Sequence, residues 1–275
     1  MRFRHLRAVI FDWAGTVIDF GSLAPAVSFV RLFAAEGVAI TLEEARAPMG
    51  LPKRQHIEAL GRLPRVADAW REAQGSRMTA ADVDRLYQRL MPMNIEAVRE
   101  HAALVPGAAE LAERLRRAGL KVGSTTGYDR ATAQIMANLA ASQGFIADNL
   151  ACADDLPQTR PSPMAIYRSL LDLNVWPAAA VVKVDDTVPG LLEGRHAGCW
   201  TIAVAVSGNE TGLSAQQWAA LSAPQREACR QQAAARLTVA QPDAIVDTVA
   251  DLWPLLEDID RRLGAGERPP PHPLP

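Results

Sequence analysis

Cysteine is scarce in this chain: Cys152, Cys199 and Cys229 are three among 275 residues, odd in number and far apart. Such spacing excludes a disulfide framework or a cysteine-built metal cluster and makes a cytoplasmic location the expectation. Long apolar runs are missing too. None approaches the roughly 20 residues that span a bilayer, so no membrane partner is expected. The opening MRFRHLRAVIFD is basic, but its apolar run is short and meets Asp12 at once, which speaks against a signal peptide. Charge of either sign is nearly balanced, at −2 net, and excludes a general electrostatic affinity for nucleic acid. Lysine is rare: of 29 Lys and Arg residues only Lys53, Lys121 and Lys183 are lysines, so each is mildly informative.

What is present is an alternation. The runs AVIFD, LKVGSTT, AVVKVD and TIAVAV are apolar and β-branched, as strands of a parallel sheet covered on both faces are. Helical patterns lie between them. Residues 106–119 open with Pro and close with Gly, as helix ends prefer, and 130–144 and 190–198 are similar. The reading is α/β, a doubly wound parallel sheet. One stretch interrupts it. Residues 21–99 hold no convincing strand but show helical patterns at 24–35, 41–46, 52–61 and 79–99. Thr41 with Glu44, and Thr79 with Asp82, are spaced as capping boxes, and Pro92 is placed to kink or break the last helix. The expected organisation is a core of residues 1–20 and 100–262, an inserted all-helical cap of 21–99 over the sheet's carboxyl edge, and a disordered Pro-rich tail of 263–275. Hinges are expected at 19–21 and 98–105.

Ligands of open α/β sheets bind at the carboxyl ends of strands, and here those ends carry reactive side chains. Asp12 suits a nucleophile or a metal ligand. Thr125 and Thr126 offer hydroxyls to a phosphoryl oxygen. Asp185 and Asp186 are a carboxylate pair of the kind that suits hard Mg²⁺. Arg160, in DLPQTRPSP, can meet the charge of a phosphoryl group. Singly, each has a plainer explanation, since strand-end Asp residues also cap helices and form turns. Their succession at strand ends points to phosphoryl transfer through an aspartyl-phosphate.

DxxGT after the first strand, Ser/Thr ending a later one, a basic loop residue and an acidic pair after a further strand resemble the haloacid dehalogenase superfamily. More closely, DWAGTVIDFG, EEARAPMGLPKRQHI, GSTTGY and RP-x-P, in that order between residues 9 and 213, resemble the phosphonatase family, which cleaves the phosphorus–carbon bond of phosphonoacetaldehyde. The resemblance implies Asp12 as nucleophile and Lys53 as the amine that forms a Schiff base with the aldehyde. It implies His56 as a proton shuttle, Met49 and Tyr128 lining the site near the amine, and Thr126, Gly127 and Arg160 binding substrate. Mg²⁺ would be held by Asp12, the Ala14 carbonyl and Asp186, with Asp185 a further candidate. A homodimer through the cap is implied as well, although Trp70, Leu86 and Tyr87 suit a cap core equally.

Ala14 and Lys53 explain one another. Phosphatases of the superfamily carry Asp two positions after the nucleophile, to protonate a leaving alkoxide. Here that place is Ala14, and loss of a general acid commonly lowers the rate by about 10²–10⁴-fold. An imine on Lys53 would draw the bonding pair toward nitrogen, so the leaving group is an enamine and no oxygen needs a proton. The amine must be neutral, whereas free lysine has a pKa of about 10.4. A helix start at Pro52, burial under a cap and the like charge of Arg54 all push it down.

Two departures from the family pattern stand out. Relatives resemble KVGDT, with a second acid four positions after its Asp. This chain has KVDDTVPG, with Asp185 for the Gly and Gly190 for the acid, which puts metal affinity in question. Ser22 stands where relatives often carry Cys. Another superfamily hydrolase (a phosphatase or a dehalogenase) and a non-catalytic relative remain as alternatives.

Overall fold

Five parallel strands form the sheet of this computed structural model, which describes residues 3–270. They are β1 (Ala8–Phe11), β2 (Lys121–Ser124), β3 (Val181–Asp185), β4 (Trp200–Val204) and β5 (Ala244–Val246), in the order β2-β1-β3-β4-β5. The first four are the strands read from the apolar runs. β5 is three residues long with Ile245 exposed, too short to carry a period, and the sequence reading passed over it.

Between β1 and β2 come α1 (Leu23–Ala34), α2 (Leu42–Arg46), α3 (Lys53–Arg62), α4 (Pro64–Gln74) and α5 (Ala80–Glu100). This is the inserted helical cap, and it has a core of its own in Phe29, Phe33, Trp70, Leu86 and Leu90. Trp70 and Leu86 are therefore interior, with Tyr87 packed against them. Both capping boxes form, Thr41 accepting from the Glu44 amide and Thr79 from the Asp82 amide. One helix is added and one expectation is narrowed. α4 was not foreseen, though Pro64 in its first turn and Gly75 at φ +72° mark its ends. Of the two outcomes expected of Pro92, a kink or a break, the break does not occur: α5 runs on to Glu100, as the 79–99 pattern predicts. α5 packs along α1, and Pro92 contributes no backbone N–H to the helix.

The remaining helices are α6 (Ala108–Arg117), α7 (Arg130–Ala141), α8 (Met164–Leu173), α9 (Val188–His196), α10 (Ala215–Ala220), α11 (Ala223–Leu237) and α12 (Leu252–Gly264). Successive residues of β1 serve opposite faces of the sheet. Val9 and Phe11 join Leu111, Leu115 and Leu256, while Ala8 and Ile10 join Ile166 and Leu173. Cover on both faces explains why β1 reads as an unbroken apolar run. α12 continues to Gly264, so helix occupies the first two positions of the expected tail; residues 271–275 of that tail lie outside the described residues. Among the described residues no helix is long and apolar enough to cross a membrane.

The chain passes between core and cap twice, and the two crossings pair. Asp19 N donates to Ala103 O (2.9 Å) and Val105 N to Val17 O (2.9 Å). Gly21, at φ +91°, is required there, because a Cβ would lie 2.2 Å from Leu213 O.

Candidate active site

Register places the reactive residues. Phe11 pairs with Ser124 on one side and Val184 on the other, so Asp12, Thr125 and Asp185 leave the sheet abreast. The connections from β1 and β3 depart to opposite sides of the sheet, the switch point at which such folds bind ligands. After β1 the chain turns tightly: Asp12 N donates to Val184 O (2.9 Å), and the Trp13 carbonyl accepts from the amides of Thr16, Val17 and Ile18. Gly15, at φ +82°, lets this turn lie against Asp186, since a Cβ would fall 2.2 Å from its Oδ2.

One cavity of about 40 Å³ receives residues from both layers. Asp12, Ala14, Thr126, Gly127, Tyr128, Arg160 and Asp186 come from the core, and Met49, Gly50, Leu51 and Lys53 from the cap. Ser22 lines it too, from the linker. Cap and core are in close contact here: a Cβ on Gly50 would stand 2.8 Å from Thr187 Oγ1. The space holds a molecule of only a few heavy atoms, since one water needs about 10–15 Å³ by this measure.

The charges in this enclosure are strongly perturbed. Lys53, 8% exposed, is the first residue of α3. Burial draws its pKa down to about 8; the charges of Asp12 and Asp129 oppose the shift and that of Arg160 adds to it. Its Nζ lies 4.5 Å from the centre of the Tyr128 ring and 5.5 Å from that of Phe29. Arg54, expected to contribute like charge, instead points outward to Asp84 at 2.7 Å. Asp12 is pushed up to about 6 by burial and by the charge of Asp185, against the opposing pull of Arg160 and Lys183. Arg160 Nη2 donates to Asp12 Oδ1 at 2.7 Å.

Two expected site residues, His56 and Asp185, do not line the cavity. His56 lies in the cap core, stacked on Phe29 with ring centres 3.8 Å apart, and its Nε2 donates to Ala45 O at 2.8 Å. Burial and the charge of Lys53 draw its pKa down to about 3. Its Nδ1 is buried with no hydrogen-bond partner among the described residues. Thr125 is also diverted from the role its position suggested. Its hydroxyl accepts from Lys183 Nζ (2.8 Å) and Arg160 Nη2 (3.0 Å) and donates to Glu193 Oε2 (2.8 Å). Thr126 is the hydroxyl left for a ligand.

Two residues here escaped the sequence reading. Lys183 is fully buried, 2.9 Å from Asp185 Oδ2, and Glu193 approaches Arg160 Nε at 3.4 Å. The signal was available: a lysine inside a strand buried on both faces needs a partner.

The donors suit a divalent cation. Oxygens of Asp12, Asp185 and Asp186 gather within 4.8 Å of one another. Asp186 Oδ2 accepts from Asn209 N (2.7 Å), whereas its Oδ1 is buried without a hydrogen-bond partner among the described residues. Burial and the charges of Asp12 and Asp185 push this carboxyl well up, a penalty that a cation would relieve. The oxygens of Asp185 are otherwise engaged, with Thr187, Lys183 and Arg160.

Fold and site together define a hydrolase of the haloacid dehalogenase-like class, and the model of the haloacid dehalogenase-like hydrolase family matches residues 6–198. Phosphonoacetaldehyde hydrolase of Paraburkholderia phytofirmans is 47% identical over 270 residues, covering 97% of this chain and 100% of its own. The Bordetella pertussis protein of the same name is 46% identical, covering 96% of each. The chain thus belongs to the phosphonoacetaldehyde hydrolase family. A crystal structure of a phosphonoacetaldehyde hydrolase-like protein from Oleispira antarctica superposes with a TM-score of 0.95 at 39% identity, over 98% of both chains. CbbY from Rhodobacter sphaeroides shares only the fold, with a TM-score of 0.63 at 21% identity.

Proposed function

We propose that this enzyme hydrolyses phosphonoacetaldehyde to acetaldehyde and phosphate through a Schiff base on Lys53 and a phosphoryl group on Asp12. The observation that carries the reading is the pairing, in one cavity, of a buried lysine from the cap with a buried strand-tip aspartate that has alanine two residues on. The neutral amine of Lys53 adds to the aldehyde and water leaves, forming the imine. A carboxylate oxygen of Asp12 attacks phosphorus. The phosphorus–carbon bond breaks and its electron pair becomes the C=C bond of an enamine, while the imine nitrogen takes up the displaced pair. Protonation at carbon and hydrolysis of the imine release acetaldehyde, and water cleaves the aspartyl-phosphate. No leaving oxygen needs a proton, so Ala14 is not a defect.

The other residues have supporting parts. Arg160, Thr126 and Gly127 hold the phosphoryl group, and Met49 and Tyr128 keep water from the amine. His56 acts only through Nδ1. The charge of Lys53 is one cause of its low basicity, and a neutral carbinolamine on that lysine removes this cause. The cation is Mg²⁺, which three oxygens, from Asp12, Asp186 and the Ala14 carbonyl, and added waters would suit. Bound there, it would offset the repulsion between the carboxylates and the phosphoryl oxygens. Residues 21–99 move as a lid on the hinges at 19–21 and 98–105. The protein is a cytoplasmic homodimer joined through its caps, in keeping with three unpaired cysteines. The test is phosphate release from phosphonoacetaldehyde by wild type and Lys53→Arg, with and without Mg²⁺, and with borohydride present. Wild type should require Mg²⁺ and be trapped on Lys53 by borohydride. Lys53→Arg, which keeps the charge but cannot form an imine, should be inactive; undiminished activity would refute the reading.

A further inference from the structure

Gly190 lies in the first turn of α9, and its amide donates to the Thr187 hydroxyl that caps the helix. A Cβ built on it would fall 2.1 Å from Asp185 Oδ2, 2.2 Å from Cγ and 2.3 Å from Oδ1. The carboxylate of Asp185 therefore fills the volume into which any side chain at position 190 would grow. From that volume Asp185 reaches two cations and a cap. Its Oδ1 accepts from Thr187 N (3.0 Å) and Thr187 Oγ1 (2.8 Å). Its Oδ2 lies 2.9 Å from Lys183 Nζ and 3.3 Å from Arg160 Nη2. The same Arg160 nitrogen donates to Asp12. Lys183 and Arg160 are tied to each other a second time, through the Thr125 hydroxyl and Glu193.

We propose that Asp185 and Gly190 act as one unit, in which the Asp185 carboxylate uses the space left by the glycine to hold Lys183 and Arg160 in register with Asp12. In this role Asp185 is a positioning residue for Arg160 and not a ligand of the cation. Each of the two carboxylates has one buried oxygen that makes no hydrogen bond among the described residues, but that of Asp185 is ion-paired with Lys183 and Arg160, whereas Asp186 forms no ion pair among the described residues. A carboxylate introduced at 190 would compete for the volume Asp185 occupies, and could take its place only if residue 185 gave it up. The proposal deepens the reading of the cavity as a phosphoryl-transfer site.

The experiment compares wild type with Gly190→Asp, Asp185→Gly, the double variant and Asp185→Asn. Melting temperature is measured for each, and phosphate release and Mg²⁺ affinity by calorimetry. Each single exchange should lower the melting temperature, and the double variant should recover more than half of the summed loss, because one carboxylate again occupies one space. Additive losses overturn the unit, as does a Gly190→Asp protein that melts like wild type. A single variant that fails to fold counts as lost stability; the double must then fold, and its failure overturns the unit. Asp185→Asn keeps the volume but loosens both cations. It should lower kcat at saturating Mg²⁺ by about 10–100-fold, with Mg²⁺ affinity changed less than about tenfold. An unchanged kcat, or a hundredfold loss of Mg²⁺ affinity with kcat kept, would overturn the positioning role. The melting-temperature coupling judges the pair even if wild type releases no phosphate, so the two readings fail separately.

Discussion

If dryness is what makes Lys53 a nucleophile, letting water reach it should switch it off in a pH-dependent way. At its pKa of about 8, roughly one molecule in ten carries the neutral amine at pH 7; at the ordinary value of about 10.4 it would be roughly one in 2,500. The pocket thus raises the reactive fraction by about 200-fold, equivalent to ~3 kcal/mol. The sign is set by the need for the unprotonated form. Log kcat/KM should rise with unit slope up to about pH 8 and then level off. Tyr128→Ala removes the ring 4.5 Å from Nζ and admits solvent. Its limb should move up toward the free-lysine value, with kcat/KM at pH 7 falling by as much as about 200-fold and recovering near pH 10. Tyr128→Phe keeps the ring and should keep the limb. Phosphate release at limiting substrate, followed from pH 5.5 to 10, reads all three profiles. A limb at about 8 in Tyr128→Ala, or near 10 in wild type, would refute desolvation as the cause.

Three further outcomes can be checked. Asp12→Asn should lose roughly 10⁴-fold or more in kcat, yet still be trapped on Lys53 by borohydride, because imine formation precedes attack on phosphorus; loss of trapping would reverse that order. Arg46, on α2, donates to Gly21 O (2.7 Å), Ser22 O (3.1 Å) and Gly212 O (3.3 Å), tying the cap to the linker and core. Arg46→Ala should shift closure by roughly 1.5–3 kcal/mol, seen as a raised KM and a larger radius of gyration in solution scattering. Trp70→Ala should destabilise the cap by roughly 3–5 kcal/mol, read in a denaturant melt that separates cap from core, with Asp12 and its surroundings intact in the folded fraction.

Much of this protein is written locally in its sequence. The strands at 8–11 and 181–185 announce themselves by unbroken apolar runs, because both faces of the sheet are covered. The boxes at Thr41 and Thr79 announce two helix starts, because a cap needs only residues three apart. Asp12, Thr126 and Asp186 were legible because a position at a strand's carboxyl end carries its side chain to the sheet's edge whatever the rest of the chain does, whereas Arg160 stands in the loop before α8 and was singled out by its charge and by the resemblance. Tertiary structure decided which hydroxyl, Thr125 or Thr126, faces the cavity, that His56 stacks on Phe29 inside the cap, and that Asp185 takes the space of residue 190. It also decided the partners of Lys183 and Glu193. Such outcomes depend on volume and charge shared by elements distant in the chain, such as Thr125 with Glu193 or Asp12 with Arg160, and no window of neighbouring residues encodes them.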